Sequence, residues 1–524
     1  MNPSQPSAEA IAVKGNRIIK VGSNDIINRW VGKSTKVLNL DGKTIVPGFI
    51  DTHIHVVDFG KVLNWVDLTN ITAIQEMQVA IRHRLKYTAE GKWIVGRGWD
   101  QNCLVEKRLP TCSDLDVVAP NNPVVLYHRC EQVCIVNTRA LELADVTKHT
   151  AMPRNGALDK DNHGDLTGIL RGDATNLVWK KVPEPGENEL INSAYMACKA
   201  ILQAGVTSVH WILTSRTEIP VIQRLRAENK LPLRIYVIVP ANLLNNTLDL
   251  GLLNDSGNNM LRIGGVLIFA DGYFVDRTAA LNEPYTDNSA DKGKLLYTEE
   301  ELNNLVEKIQ KANLQVIMHA MGDKAVNAAL SAFETIPWGL RKKSRFRLEQ
   351  AALLNSQLIQ RIKKQGVVVS IQPKVAESEF SVWSATEHLG NMRARMLFPL
   401  KTLLRKGICV VGGSDCPMEP LNPLSGIQAA VTRDFYPNER LSIEEALRIY
   451  TVNAAYATSE ENVKGSLAIG KLADLTVLAR DPRSVESDKI AEIEVEMTIV
   501  GGKIVYQKQA SRVQLDSLKL DDYL

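Results

Sequence analysis

The stretch Pro47-Gly48-Phe49-Ile50-Asp51-Thr52-His53-Ile54-His55 follows an apolar segment and carries two histidines one residue apart. Because the side chains of a strand alternate between its two faces, His53 and His55 project to the same side. Two imidazoles side by side at a strand end form half of a tetrahedral zinc-type site. Two ordinary surface histidines would give the same pattern, but the preceding Pro-Gly and an aspartate elsewhere in the chain favour a metal site.

The composition predicts a globular protein. The chain has 524 residues, 45% of them hydrophobic and 23% charged, which is enough for two or three domains with at least one large core. Its formal net charge of +3, from 62 basic and 59 acidic residues, provides no basic surface for nucleic acid or for an anionic membrane. The first ten residues show neither the charged n-region nor the apolar h-region that is typical of a signal peptide. The sequence has no run of about 18 apolar residues and no Cys-x-x-Cys pair among its seven cysteines. We therefore expect a soluble cytoplasmic protein with free thiols and with neither a nucleic-acid nor a membrane partner.

Eight short apolar segments, most of them separated by helical patterns, predict a parallel barrel. They lie at residues 44–53, 205–212, 234–239, 264–270, 314–318, 346–349, 367–372 and 408–412. The clearest unit begins with the capping-box sequence Thr298-Glu299-Glu300-Glu301 and ends in the strand that delivers His319. Eight βα units are the count of an α/β protein of the (β/α)8 TIM-barrel class, whose active sites lie at the carboxyl ends of the strands. His53, His55, His319 and Asp415 all fall at such ends.

Two parts of the chain do not fit the barrel. The βα order stops within residues 63–185, where turn-rich stretches predict an inserted α+β subdomain. Short strands expected within residues 8–21, 36–40, 474–478 and 494–505 predict a small β-sandwich domain formed by both chain ends. The expected domains are residues 1–45 and 460–508 for the β-sandwich, 46–62 and 186–459 for the barrel, and 509–524 for a tail.

Further motifs follow along nearly the whole chain. They are Gly96-Arg97-Gly98-Trp99-Asp100, residues 205–210, Phe269-Ala270-Asp271-Gly272, residues 277–281, residues 319–323, Gly413-Ser414-Asp415 with Glu419-Pro420, and residues 464–475. Together with residues 47–55, these motifs resemble those of the amidohydrolase superfamily, and specifically of amidohydrolase family 3, which includes N-substituted formamide deformylases. The resemblance implies a metal-dependent hydrolase barrel that carries a small β-sandwich.

The resemblance also implies a metal site with four ligands, namely His53, His55, His319 and Asp415. In the implied reaction the metal activates a water molecule, and Asp415 is either a weak fourth ligand or the general base that passes the proton to the leaving amine. We expect one divalent metal ion, with Zn2+ first and Fe, Mn, Co or Ni as alternatives. Two less specific interpretations stay open: His319 could be a core histidine, and Asp415 could cap the helix that follows it.

Three positions depart from the pattern of the resembled family. A lysine that is often carboxylated is Leu267 here, the histidine of the sixth strand is Gln350, and a histidine of the insertion is Gln132. Leucine cannot form a carbamate, which excludes a lysine-bridged pair of metal ions at that position.

Five side chains are expected to contact the substrate: Trp99, Gln132, Asp271, Arg277 and Gln350. For Asp271 and Arg277, a structural ion pair is the alternative, and it is slightly favoured. Gln350 could equally be a tolerated replacement that contacts nothing.

The resemblance predicts an enzyme that hydrolyses a non-peptide C–N bond of a small molecule, with an amide or an N-substituted formamide as the first candidate. Deamination of a cyclic amidine or heterocycle is the second candidate. A barrel that has lost catalysis is the third, because of Leu267, Gln350 and Gln132. The oligomeric state, monomer or homodimer, stays open.

The resemblance further implies that this chain starts late. Relatives begin with a strand of the Asn-Gly-Lys-Ile type before the segment that matches residues 2–12. We therefore expect the small β-domain to lack one edge strand and to expose unpaired backbone groups. A version extended upstream is then expected to be more soluble or to melt at a higher temperature.

Overall fold

The computed structural model describes residues 5–129, 132–153, 155–245, 259–382 and 384–509. Within these ranges the chain forms twenty strands, which we number in chain order. They are β1 (Ala10–Lys14), β2 (Arg17–Gly22), β3 (Thr44–Pro47), β4 (Phe49–Ile54), β5 (Val66–Asp67), β6 (Ile94–Trp99), β7 (Val124–His128), β8 (Val133–Val136), β9 (Gly156–Lys160), β10 (Leu166–Gly172), β11 (Val206–Ile212), β12 (Arg234–Pro240), β13 (Leu261–Phe269), β14 (Gln315–Ala320), β15 (Arg347–Gln350), β16 (Val368–Ile371), β17 (Val410–Gly412), β18 (Leu475–Leu478), β19 (Val495–Val500) and β20 (Lys503–Gln507).

The α-helices of the described ranges lie mostly between these strands. They are Asn24–Asn28, Val56–Leu63, Ile74–Leu85, Cys112–Asp116, Thr138–Leu143, Thr175–Trp179, Glu187–Gln203, Glu218–Ala227, Glu299–Lys311, Asp323–Glu334, Trp338–Ser344, Ser356–Gln365, Pro373–Ser381, Ala385–Ala394, Leu400–Arg405, Pro423–Thr432, Ile443–Ile449 and Val452–Ala457. No described helix has both the length and the apolar character that crossing a membrane requires.

The helix Glu299–Lys311 illustrates how local sequence sets these elements. The side chain of Thr298 accepts a hydrogen bond from the N–H of Glu301 at 3.3 Å, and Glu301 accepts one from the N–H of Thr298 at 2.7 Å. This reciprocal capping box satisfies two N–H groups that a helix start leaves unpaired. The apolar face of the helix is buried at Leu302, Val306 and Ile309.

The chain divides into two compact units, one made of everything up to Val56 and from Cys198 onward, the other of Val57–Ala197. The first unit contains an eight-stranded parallel sheet in the order β17-β16-β15-β14-β13-β12-β11-β4. Helices lie between its strands along the chain, so the predicted (β/α)8 fold class is confirmed. The domain boundaries expected from the sequence stay a prediction.

The first of the eight strands predicted from the sequence is divided into two strands in the structure. Residues 44–53 were expected as a single strand, but Thr44–Pro47 pairs with β18 in an antiparallel sheet and Phe49–Ile54 pairs with β11 in the barrel. Gly48 separates them, and its Cα faces the side chain of Thr207 so closely that a Cβ would overlap it. The chain can therefore pass from one sheet to the other here because residue 48 has no side chain.

The barrel closes between β4 and the segment that follows β17. The N–H of Asp415 donates to the carbonyl of His53 at 2.8 Å, and the N–H of His55 donates to the carbonyl of Cys416 at 3.0 Å. Gly413 makes this approach possible, because a Cβ on it would lie 2.7 Å from the Cβ and the backbone nitrogen of His53. Closure of the barrel therefore places Asp415 beside both histidines.

Both chain ends contribute to the small β-structure of the first unit. One sheet has the order β20-β19-β18-β3, and β1 pairs with β2 in a hairpin. The hairpin is tied to the chain before β18 by the bonds from Ile18 N–H to the carbonyl of Lys471 and from Ala473 N–H to the carbonyl of Asn16, both 2.9 Å.

The prediction of a strand within residues 36–40 is wrong, because this segment forms no strand. Two of its apolar side chains face solvent, since Val37 is 66% exposed and Leu38 is 43% exposed. Leu40 packs against the core of the small β-structure. The expected tail lies almost wholly outside the described residues, which end at residue 509.

The second unit has a sheet and a core of its own. Its sheet has the order β5-β6-β7-β8-β10-β9, in which β5, β6 and β7 are parallel and the remaining pairings are antiparallel. The core includes Met77, Ile81, Trp99 and Leu115. This mixed sheet with its helices is the inserted α+β subdomain that the sequence predicts.

Candidate metal centre

Three predicted ligands come together at the carboxyl ends of the barrel strands. One ligand atom from each of His53, His55 and Asp415 lies within 4.8 Å of the other two. The Oδ1 of Asp415 is 3.3 Å from the Nε2 of His53 and 3.5 Å from the Nε2 of His55. The two imidazole rings stand nearly perpendicular, at 80°, with 5.5 Å between their centroids. Two nitrogens and one oxygen therefore converge on one small volume.

The backbone of Asp415 is unusual, with φ of +62° in the left-handed region. Aspartate tolerates this conformation better than most residues, and such outliers occur often at functional sites. The hydrogen bond from its N–H to the carbonyl of His53 holds the residue in place. The interpretation of Asp415 as a helix cap is wrong, because Asn422 caps the following helix by accepting from the N–H of Leu424 at 3.0 Å.

His319 lies in β14 and is 1% exposed. Neither of its ring nitrogens has a hydrogen-bond partner within the described residues. The Nδ1 is 3.9 Å from the Oδ1 of Asp271, and the ring lies about 5 Å from the rings of both Phe269 and Tyr273. Burial and the nearby positive charge of His53 lower the pKa of His319 to about 4. A neutral imidazole with unused nitrogens is what a metal ligand requires.

Glu349 orients His53 from behind. Its Oε2 lies 2.9 Å from the Nδ1 of His53, which leaves the Nε2 facing Asp415. Histidines that bind metals usually donate their second ring N–H to such a carboxylate. Burial disfavours the charged imidazolium, but the carboxylates of Asp415 and Glu349 raise the pKa of His53 to about 10. A metal ion bound at the Nε2 of His53 would therefore displace a proton. Burial also opposes ionisation of Asp415, yet His53 and His55 hold the pKa of Asp415 well below its usual range.

Arg347 holds Glu349 in turn. The two side chains form an ion pair and both are fully buried. Arg347 also donates to the carbonyl of Thr52 at 2.6 Å and to the Oγ of Ser370 at 3.0 Å, and one of its nitrogens lies 2.9 Å from the Nδ1 of His210. His210 is thus part of the buried network behind the site.

The roles of Glu349 and Arg347 were missed from the sequence, although a signal was present. Residues 347 and 349 are two apart in a strand, so both side chains project to one face of β15. Glu349 is paired in register with His319 of β14 and with Ser370 of β16. A charged Arg-x-Glu pair on the inner face of a buried barrel strand could have indicated a polar network at the site.

Asp271 and Arg277 do not pair with each other. The carboxylate of Asp271 accepts hydrogen bonds from the N–H groups of Ala280, Met321 and Gly322 at 2.8–2.9 Å. Arg277 instead forms an ion pair with Asp287 at 2.6 Å. The expected Asp271–Arg277 ion pair is therefore wrong, and their contact with substrate stays a prediction.

The other expected substrate contacts lie in three different settings. Gln350 is 1% exposed, and its Oε1 has no partner within the described ranges. Trp99 is fully buried in the core of the second unit and donates its indole N–H to the carbonyl of Leu126 at 3.0 Å. Gln132 is exposed, and its backbone carbonyl accepts from the N–H of Gly172 at 2.8 Å. Their roles stay predictions.

Leu267 occupies the position at which the resembled family often has a carboxylated lysine that bridges two metal ions. It is buried in an apolar cluster with Ile212, Tyr236, Ile238 and Ile317. Nothing in this cluster could bridge two metal ions. The donor set that converges in the structure is two imidazoles and one carboxylate, from His53, His55 and Asp415, and it suits one divalent metal ion. His319 is not part of this close group, so its role as a further ligand stays a prediction.

A parallel eight-stranded barrel with this donor set at the carboxyl ends of its strands defines a metal-dependent hydrolase. The chain belongs to the amidohydrolase family, whose model matches residues 36–506.

Proteins of known sequence or structure show the same likeness over nearly their whole length. YtcJ of Bacillus subtilis is 31% identical over 95% of this chain and 96% of its own. The N-substituted formamide deformylase of Arthrobacter pascens is 28% identical over 96% of both chains. The structure of an uncharacterized metal-dependent hydrolase from Pyrococcus furiosus is 31% identical, covers 90% of this chain and 95% of its own, and superposes with a TM-score of 0.74.

Proposed function

We propose that this protein hydrolyses a non-peptide C–N bond of a small-molecule amide, and that N-substituted formamides are the first substrate class to test. The observation that carries the proposal is the convergence of His53, His55 and Asp415 beside a His319 whose nitrogens are unused. The similarity to an N-substituted formamide deformylase over 96% of both chains supports the choice of substrate class.

We propose one metal ion, Zn2+ first, held by the Nε2 atoms of His53 and His55, by His319 and by Asp415. When bound, a divalent ion polarises a carbonyl group and lowers the pKa of a coordinated water to about 7. The chain's own contribution is to place a carboxylate beside that position. Asp415 accepts the proton of the attacking water with its carboxylate and passes it to the leaving amine.

The stoichiometry of the metal is tested by elemental analysis. Protein loaded with excess zinc and then desalted should hold one zinc ion per chain, because the position of a bridging lysine is the apolar Leu267. His53→Ala should lose that ion, since one of two imidazoles that face Asp415 is removed. A stable ratio of two would contradict the single-metal site.

The reaction is tested with a panel of formamides, acetamides and cyclic amidines. Asp415→Asn should abolish turnover while the protein stays folded, because an amide of nearly the same shape cannot accept the proton. Asp434→Asn, at a fully exposed carboxylate, is the control and should keep wild-type turnover.

Each other outcome has a distinct meaning. Full turnover by Asp415→Asn would rule out Asp415 as the base. Release of ammonia from cyclic amidines, without hydrolysis of amides, would make the protein a deaminase. Absence of any turnover at full metal occupancy would indicate a barrel that has lost catalysis.

A further inference from the structure

The loop after β13, residues 271–280, is tied down at both ends. Asp271 at its start is 1% exposed and accepts a hydrogen bond from the N–H of Ala280 at its end, at 2.8 Å. The same carboxylate accepts hydrogen bonds from the N–H groups of Met321 and Gly322, both at 2.9 Å. These two residues directly follow β14. One buried carboxylate therefore joins this loop to the strand that carries His319.

The backbone of Tyr273 is fixed inside this loop. Its N–H donates to the Oγ1 of Thr278 at 2.9 Å, and its carbonyl accepts from the N–H groups of Thr278 and Ala279 at 3.0 and 2.9 Å. Gly272 allows the turn to close, because a Cβ there would overlap the side chain of Thr278. The position of Tyr273 is thus set by the fold before any substrate binds.

The side chain of Tyr273 lies against His319. Its ring centroid is 5.1 Å from that of His319, with the planes tilted by 55°. The residue is 40% exposed, and within the described chain its hydroxyl has no hydrogen-bond partner. A phenol, whose ordinary pKa is about 10, keeps its proton at neutral pH. The hydroxyl is therefore a protonated donor on a ring that lies against the candidate ligand His319.

A second tyrosine in the neighbourhood has a different setting. Tyr285 is 1% exposed, and its hydroxyl donates to the carbonyl of Ala279 at 2.8 Å. The hydroxyl of Tyr285 is thus used by a backbone carbonyl rather than left available to a ligand, which makes this residue a matched control.

We propose that Tyr273 is a further catalytic residue, whose hydroxyl donates a hydrogen bond to the carbonyl oxygen of the substrate as that oxygen gains negative charge. The hydroxyl keeps its proton throughout, and no bond to Tyr273 forms or breaks. A donor that is already oriented where charge develops stabilises the transition state more than the ground state. The inference rests on the proposed amide hydrolysis, and it assigns the group that stabilises the oxyanion.

The first test measures kcat and KM of the metal-loaded protein with an amide of the panel that it hydrolyses. Tyr273→Phe should lower kcat by about 100-fold, the usual effect of removing one oxyanion donor, and leave KM and the metal content unchanged. Tyr285→Phe should keep kcat and lower only the thermal midpoint. A Tyr273→Phe variant with wild-type kcat would overturn the proposal.

Binding of methylphosphonate to the zinc-loaded protein gives a second test that needs no turnover. Its tetrahedral anionic oxygens imitate the charge that the hydroxyl is proposed to meet. Calorimetry should show a dissociation constant about tenfold weaker for Tyr273→Phe, in line with one lost hydrogen bond to a charged group, and unchanged for Tyr285→Phe. Equal binding by wild type and Tyr273→Phe, or no binding by wild type, would overturn the proposal. If Tyr273→Phe binds methylphosphonate more weakly than the wild type but no amide is hydrolysed, the proposed function is refuted. The contact between Tyr273 and the anion is then still supported.

Discussion

Glu349 determines which nitrogen of His53 faces the candidate metal centre. The carboxylate engages the Nδ1 at 2.9 Å, and Arg347 holds the carboxylate from the other side. Gln372 adds a weaker contact, with its Nε2 at 3.4 Å from the Oε2 of Glu349. All three of these supporting side chains are buried. Such a rigid support should matter for metal affinity, because a ligand that is already oriented loses less freedom on binding.

Glu349→Gln should weaken zinc binding by about 10- to 100-fold, the usual effect of losing a partner behind a ligand. It should also destabilise the fold by roughly 3–5 kcal/mol, because Arg347 is left as a buried, unpaired charge. Chelator competition measures the first effect and thermal unfolding the second.

Glu460→Gln separates these two effects, since it removes a carboxylate that lies 3.0 Å from Lys464 rather than one that contacts His53. This control should lose stability and keep the wild-type zinc affinity. Unchanged zinc affinity in a folded Glu349→Gln protein would show that Glu349 does not position His53.

The junction between β4 and the end of β17 is the element on which the site depends. Gly413 lies against the backbone of His53, and the next residues bond to the backbone of residues 53 and 55. A change at this contact should therefore alter both the closure of the barrel and the distance from Asp415 to the histidines.

Gly413→Ala should destabilise the protein by about 1–3 kcal/mol, as overpacking against backbone usually does, and weaken zinc binding in parallel. Gly339→Ala is the control, because nothing lies within 4 Å of a Cβ at that helical position. That variant should be neutral or slightly more stable. Wild-type zinc affinity in Gly413→Ala would mean that the junction does not set the ligand geometry.

The helix Pro373–Ser381, which follows β16, carries a buried carboxyl group. Glu379 is fully buried, and neither of its oxygens has a hydrogen-bond partner within the described residues. Burial raises the pKa of Glu379 to about 8 from its ordinary 4.5. The folded protein thus binds this proton more tightly than the unfolded chain, and stability must fall as the pH rises from about 4.5 to about 8.

Glu379→Gln removes this penalty and should therefore raise the free energy of unfolding at pH 8 by a few kcal/mol, since one pKa unit corresponds to about 1.4 kcal/mol. The gain should shrink as the pH falls towards 4.5, and below that pH the wild-type group is protonated in both states. Glu377→Gln, at a partly exposed position on the same helix, should not reproduce the gain. A gain that is independent of pH would mean that ionisation of Glu379 is not its cause.

At the scale of the whole first unit, a buried ion pair connects the barrel to the small β-structure. Arg234 at the start of β12 meets Asp474, directly before β18, through two bonds of 2.7 and 2.9 Å. Asp474 also accepts from the N–H of Gly501 at 2.8 Å. Both charged side chains are at most 5% exposed.

Asp474→Asn should cost about 3–5 kcal/mol, because Arg234 would remain buried without its charge partner. Glu307→Gln, which removes an exposed pair with Lys311, should change stability by less than about 1 kcal/mol. Denaturant unfolding measures both. Equal, small effects would show that the barrel and the small β-structure do not depend on this pair.

Much of the fold could be predicted from the sequence because its signals are local. The capping box at Thr298 and the short apolar runs follow from periodicity and hydrogen bonding within a few residues. The same local rule put His53 and His55 on one face of a strand. It failed at residues 44–53, because the change of sheet at Gly48 depends on Thr207, a residue far away in the chain.

The sequence by itself determined the class of barrel, the two adjacent histidines and the strand ends at which His319 and Asp415 lie. Only the tertiary structure decided that Glu349 reaches His53 across 296 residues of chain, and that Tyr273 lies over His319. The physical reason is that these contacts depend on the register of neighbouring strands, the closure of the barrel and the turns that pin its loops. Such distances arise from the packing of the whole sheet, and no local pattern of residues contains them.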